Sequence, residues 1–183
     1  MITYTTSKND KDLQQILQLQ KQNLAAGLTA EQIASQGFVT VMHSFEDLKK
    51  MNDIEAHVIA KDDDRVIAYL LAMTNQSRFD IPVLVAMFEM FEKISYQHKK
   101  IADYRYIVVG QVCVAEGYRG KGVFDTCYAA YSHNFKNKYE FAITEIATRN
   151  QRSIRAHKRV GFETIHEYTA PDGEEWSIVL WKW

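Results

Sequence analysis

The residues most able to do chemistry in this chain lie in one short turn, Arg119, Gly120, Lys121, Gly122, Val123 and Phe124. Its glycines allow backbone to approach a ligand where a Cβ would collide. A helix beginning there would aim unpaired N–H groups and the positive end of its dipole at an anion, with Arg119 and Lys121 adding charge. A pyrophosphate fits that chemistry. The same residues also suit a tight connection with two solvated cations. A Walker loop needs Lys followed by Ser or Thr after its second glycine, and Val123 and Phe124 stand here instead; GxGxxG is absent too. Neither an ATPase nor a dinucleotide-binding reading survives at the motif level. Cys113 and Cys127 are far from CxxC spacing, and His43, His57, His98, His133, His157 and His166 show neither HxH nor HExxH, so no metal is expected.

The elements that must position this turn follow from periodicity. Tyr106 to Val114 is the strongest strand; it enters a glycine-bearing turn, Gly117 to Gly122, and a helical run to about Lys138 follows. Phe141 to Ala147 reads as a further strand and Gln151 to Val160 as a helix that Gly161 stops. Phe162 to Tyr168 and Trp176 to Trp183 are strands joined by the Pro171, Asp172, Gly173 turn. Upstream, Ile2 to Thr6 is a short strand, and Leu13, Ile16, Leu17 and Leu24 mark an amphipathic helix ended by Gly27. Thr29 with Gln32 forms a capping-box signature for a short helix closed by Gly37, Phe38 to His43 is extended, and Ser44 with Asp47 opens another helix. His57 to Lys61 and Arg65 to Thr74 flank three aspartates as an antiparallel hairpin. Asp80 and Pro82 then start an inserted helix with Leu84, Met87, Phe88, Phe91 and Ile94 on one stripe. Strands and helices alternate only in the second half, which favours an α/β fold with a mixed sheet over a doubly wound one.

Composition narrows the function classes. At 183 residues the chain is expected to form a single domain, 1–183. Lys plus Arg number 22 against 23 Asp plus Glu, and a net charge of −1 supplies no general pull towards nucleic acid or an anionic membrane. The start, MITYTTSKNDKD, has no apolar leader-like run, and the longest apolar run, Ile81 to Phe88, is far below the ~18 residues of a membrane span, so the expected location is cytoplasmic.

Gln111 to Phe124, QVCVAEGYRGKGVF, resembles the GCN5-related N-acetyltransferase (GNAT) superfamily, whose signature is Gln/Arg-x-x-Gly-x-Gly/Ala between the fourth strand and the next helix. Arg119 and Gly122 match; Phe124 stands where the family has Gly or Ala. Asn150 to Phe162 is similar to a second family block, Asn-x-x-Ala-x-x-Leu-Tyr-x-x-x-Gly-Phe, with the spacing from Asn150 to Gly161 and Phe162 retained. The resemblance implies a mixed, mostly antiparallel central sheet flanked by helices, its fourth and fifth strands splayed around acetyl-CoA as acyl donor.

By resemblance, backbone at Val112 and Val114 holds the pantetheine arm, and pyrophosphate lies on N–H groups from Arg119, Gly120, Lys121, Gly122, Val123 and Phe124 through Asp125, with Asn150 bonding the arm. Glu145 stands twelve residues before His157, as a catalytic Glu and Tyr do in some members, which makes Glu145 the general base and puts His157 in the general acid's place. The alternatives are a carboxylate paired with Arg149 or another cation and a surface histidine on a basic helix. Arg152, Arg155 and Arg159 share a helix face suited to the 3′-phosphate of CoA or to solvent. The segment from Asn75 to Arg105 offers Phe79, Phe88 or Phe91 as a roof over an acceptor, and its stripe equally serves core packing or a homodimer contact. The implied activity is acetyl transfer from acetyl-CoA to a primary amine of a small molecule or peptide; the alternative is a non-catalytic acyl-CoA-binding or interaction module.

Overall fold

The strand that feeds the glycine turn is the pivot of the architecture. In a computed structural model, which describes residues 1–183 apart from 28, 30, 32–37, 80, 82 and 83, the elements run β1 (Ile2–Thr6), α1 (Asp10–Lys21), α2 (Phe45–Ile54), β2 (Val58–Asp62), β3 (Arg65–Met73), α3 (Val85–Lys93), a small hairpin of β4 (Ser95–Tyr96) and β5 (Lys99–Lys100), β6 (Tyr106–Val114), α4 (Val123–Phe135), β7 (Phe141–Ala147), α5 (Gln151–Val160), β8 (Glu163–Thr169) and β9 (Glu175–Trp181). Seven strands form one sheet in the order β1-β2-β3-β6-β7-β9-β8. Every neighbouring pair in it is antiparallel except β6 and β7. The fold is therefore a mixed α/β one with a mostly antiparallel sheet flanked by helices.

Local chemistry accounts for the helix boundaries. Asn9 caps α1 by accepting from the Asp12 N–H, and Leu13, Ile16 and Leu19 bury the inner face. Ser44 and Asp47 cap reciprocally at the start of α2, as their spacing predicts. Gly161 ends α5 at φ 119°, and an added Cβ there would also come within 3.0 Å of the Trp181 indole nitrogen. The Asp62–Asp64 hairpin turn places Asp63 at φ 50°, a conformation aspartate tolerates.

Several boundaries differ from those expected. The first helix stops at Lys21, with a separate 3₁₀ turn at Ala25–Gly27. The helix after the glycine turn ends at Phe135 rather than Lys138. Phe38 to His43 contributes only an isolated bridge, Leu24 to Val39. The β4–β5 hairpin is too short to leave a period-2 signal. The Thr29–Gln32 capping box with Gly37, and the Asp80–Pro82 helix start, lie outside the described residues.

The site depends on one irregularity. β6 and β7 pair only through Tyr106↔Phe141, Ile107↔Ala142 and Val108↔Ile143, although both strands continue. The Thr144 hydroxyl donates to the Val109 carbonyl at 2.7 Å as the last link before the strands part. On its other side β6 carries a bulge: Ala72 pairs with Val109 but Leu70 with Val112, so Gly110 and Gln111 together face Leu71. An added Cβ at Gly110 would meet the Met73 Cε at 2.8 Å, so the end of that flexible side chain would have to shift. Gln111 is anchored under the bulge, accepting from Tyr69 and Gln20 and donating to the Val41 carbonyl. Bulge and splay together turn the end of β6 away from β7.

Candidate active site

A cleft of about 500 Å³ opens at the end of β6, between the glycine turn, the start of α4 and the flank of α5. Gly120 and Gly122 have φ of 72° and 78°, the left-handed region that glycine enters without strain. Gly122 is the N-cap of α4 and supplies no side-chain cap; the first intrahelical bond runs from the Thr126 N–H to the Gly122 carbonyl. The N–H groups of Val123, Phe124 and Asp125 therefore lack intrahelical acceptors at the cleft.

Of the residues expected at the cofactor, Val112, Val114, Arg119, Gly120, Gly122, Phe124, Asp125 and Asn150 border the cleft. The Val123 side chain is buried in the core, and Lys121 lies 5.9 Å from the Tyr118 ring centre. Arg119 turns its guanidinium back beneath the loop, donating to the Val114 carbonyl at 2.9 Å and to Asn23. It braces the turn more than it charges it. Positive charge comes instead from α5, where Arg152, Arg155 and Arg159 all border the cleft; Arg159 makes two bonds to the Asp125 carboxylate, at 3.1 and 3.2 Å. Asn150 caps α5 through the Ser153 N–H and donates to the Phe38 carbonyl, pinning the 38–39 segment to the rim.

Strand register separates the two expected catalytic residues. Ala142 pairs with Trp181, whose ring packs on Tyr128 of α4 and on Phe162, so that sheet face is the one under α4 and α5. Glu145, three residues on, points to the other face. There Tyr168 of β8 donates its hydroxyl to the Glu145 Oε2 at 2.6 Å. Burial pushes the Glu145 carboxyl up to about 7, with the Tyr168 hydrogen bond pulling back. The alternative pairing with Arg149 is not formed: Arg149 binds Glu174.

His157 is on the α4–α5 side and 1% exposed. Its Nδ1 is 2.8 Å from the Ser153 carbonyl, which can only accept, so Nε2 is bare and accepts from the Tyr128 hydroxyl at 2.6 Å. Phe124 packs its ring on both, with centres 4.9 Å from Tyr128 and 5.3 Å from His157. The bulky residue at the glycine position thus lies against a buried aromatic cluster while one edge faces the cleft. His157 is neither a surface histidine nor a lining residue of that cleft, and contact with a thiolate would require it to leave Tyr128. Phe88 and Phe91 are core residues, and of the expected roof only Phe79 is exposed.

Sequence spacing missed Tyr168, because β9 lies between it and Glu145 and no local pattern reports that register. Among the described residues, no group of three or more His, Cys, Asp or Glu is arranged to hold a metal, and no helix is long and apolar enough to cross a membrane.

Three buried histidines give this fold an acid limit. His43, His57 and His157 are each lowered from 6.5 to about 4, with burial the largest cause. His57 is locked neutral, accepting from the Ala72 N–H and donating to the Leu48 carbonyl; neither ring nitrogen of His43 has a partner among the described residues. Each contributes stability that is complete above pH 6.5 and lost as pH falls towards 4, at about 1.4 kcal/mol per pH unit per group. Glu145, raised from 4.5 to about 7, acts oppositely: its contribution is complete below 4.5 and lost as pH rises through 7. Three groups outweigh one, so Tm falls steadily between pH 6.5 and 4.5. A calorimetric Tm that stays level over that interval would show that the histidines are not held neutral.

Comparison with known proteins agrees with this geometry. The sequence profile described as "Acetyltransferase (GNAT) family" matches residues 30–162, well over half of the chain. No curated protein is significantly similar in sequence. Among solved structures, an acetyltransferase of the GNAT family from Streptococcus agalactiae superposes with a TM-score of 0.68 at 11% identity, covering 100% of this chain and 95% of that one. The ribosomal-protein-S18-alanine N-acetyltransferase from Escherichia coli gives 0.60 at 13%, covering 100% and 94%. A chain of the NatC complex, solved with Gag peptide and CoA, gives 0.66 at 12%, covering 100% and 98%. At such identities these structures share the fold alone; together with the profile match, the splayed β6–β7 pair and the uncapped helix start at Gly122, they establish that the chain belongs to the GNAT acetyltransferase family.

Proposed function

We propose that this chain transfers the acetyl group of acetyl-CoA directly to a primary amine of a small molecule or peptide. The observation that carries the reading is the coincidence, at one place, of the β6–β7 splay, a 500 Å³ cleft and an uncapped helix N-terminus. The backbone of Val112 and Val114 receives the pantetheine arm as an added strand would be received. The pyrophosphate lies on the N–H groups of Val123, Phe124 and Asp125, and the arginines of α5 accept the remaining phosphate.

In the reaction the amine nitrogen attacks the thioester carbonyl carbon; a C–N bond forms, the C–S bond breaks, and sulfur departs with the electron pair as the CoA thiolate. The proton lost by the amine passes to Glu145, whose carboxyl, raised to about 7, is matched to proton transfer near neutral pH. His157 serves the site indirectly, by holding Tyr128 and with it Phe124 under the cleft.

Calorimetric titration tests the donor. Acetyl-CoA is expected to bind in the micromolar range and ATP far more weakly, with turnover following when amines are screened. Phe124, on the cleft wall where the family has Gly or Ala, favours a second reading as a non-catalytic acyl-CoA binder, and tight acetyl-CoA binding without turnover of any amine would select it. Failure to bind either CoA species would sink both.

A further inference from the structure

We propose that Tyr168 is a positioning residue for acetyl transfer, its hydroxyl holding the Glu145 carboxylate in one orientation and favouring its ionised form beside the splay. The inference rests on Glu145 being the base. Geometry makes the contact specific. Glu145 of β7 pairs with Ile178 of β9, and Tyr168 of β8 pairs with the neighbouring Trp176, so both side chains stand on one face with a strand between them. Strands are about 4.8 Å apart, so only a long side chain spans the two steps. Tyrosine crosses above the fully buried Ile178 and ends in a donor 2.6 Å from Oε2. Oε1 carries no hydrogen bond among the described residues and is left for the amine.

Among the described residues, the surroundings offer Glu145 little else. β9 presents Trp176, Ile178 and Leu180 on this face, and β7 itself Ile143 and Ala147. β8 adds His166, whose ring stacks at 6.4 Å on Tyr168, and Asp172 in the following turn acts on the Tyr168 hydroxyl. Across the splay, β6 holds Cys113, a thiol that burial keeps neutral at about 12. Tyr168 is therefore the group that favours the carboxylate against burial, and a donor to the charged form lowers its pKa.

Two measurements on the full chain test this, comparing the parent protein with Tyr168→Phe. In a carbon-13 NMR titration, with the Glu145 carboxyl signal identified by its loss in Glu145→Gln, the midpoint should rise by about one pH unit, the usual effect of one lost charge-assisted hydrogen bond. The acid limb of kcat/KM should move upward with it, so that the loss of rate is about fivefold at pH 7, approaches tenfold only below about pH 6 and shrinks as pH rises. A rate lowered equally at every pH, or an unmoved carboxyl titration, overturns the inference. If Glu145→Gln keeps its turnover, the base assignment fails by itself, and the NMR titration still reports whether Tyr168 sets the ionisation of Glu145.

Discussion

Replacing Glu145 with Gln should lower kcat by about 10²-fold or more while leaving acetyl-CoA affinity nearly unchanged. The size is that of a lost general base. The split follows from placement, because Glu145 stands on the sheet face opposite α4 and α5 and does not border the cofactor cleft. Gln keeps the shape and can still meet the Tyr168 hydroxyl, but it cannot take a proton at neutral pH. A base must be ionised to act, so in the parent enzyme kcat/KM should climb with pH through about 7 and level off above it. Steady-state kinetics across pH 5.5 to 9 and a calorimetric titration of both proteins provide the check. An unchanged kcat in Glu145→Gln would remove the assignment, and a large loss of acetyl-CoA affinity would mean that the carboxylate supports the cleft instead.

Gly122→Val should act in the opposite way, weakening acetyl-CoA binding by roughly 10- to 100-fold. At φ 78° a β-branched residue is strained by about 1–3 kcal/mol, and the chain can relieve this only by shifting the turn. The shift would move the N–H groups of Val123, Phe124 and Asp125 away from the position proposed for the pyrophosphate. Among the described residues, no atom beyond its chain neighbours lies within 4 Å of the added Cβ, so the loss would come from the backbone and from crowding of ligand, not from a clash in the core. Gly117→Ala is the matched control: it also has open space, without a left-handed φ, and should bind normally. Calorimetry on the three proteins decides the matter, and normal acetyl-CoA affinity in Gly122→Val would discard the anion cradle.

These two variants divide the site along the line that separates local from distant information. The cradle could be read from the chain because its parts are neighbours in it. A strand, a turn with glycines two apart and a helix start lie within Tyr106 to Phe135, and left-handed φ and unpaired N–H groups are properties of that segment alone. The arginine row of α5 was legible for the same reason, since helical spacing puts Arg152, Arg155 and Arg159 on one face. Ser44 and Asp47 needed only each other.

Glu145 and His157 show where such reading stops. Their twelve-residue separation names a relationship, but whether the two meet depends on which sheet face each strand residue takes and how far a helix side chain reaches. Here the pairing of β7 with β9 turns Glu145 to one face, while Tyr128 and Phe124 enclose His157 on the other. Tyr168 reaches Glu145 only through the register of β8 on β9. The chain by itself determined the alternation of elements, the caps and the glycine turn with its uncapped helix start, because these rest on bonds between residues a few positions apart. The tertiary structure alone decided the splay, the raised Glu145 carboxyl, its tyrosine partner and the burial of His157, because a one-residue change in strand register reverses every side chain and no local preference encodes the choice.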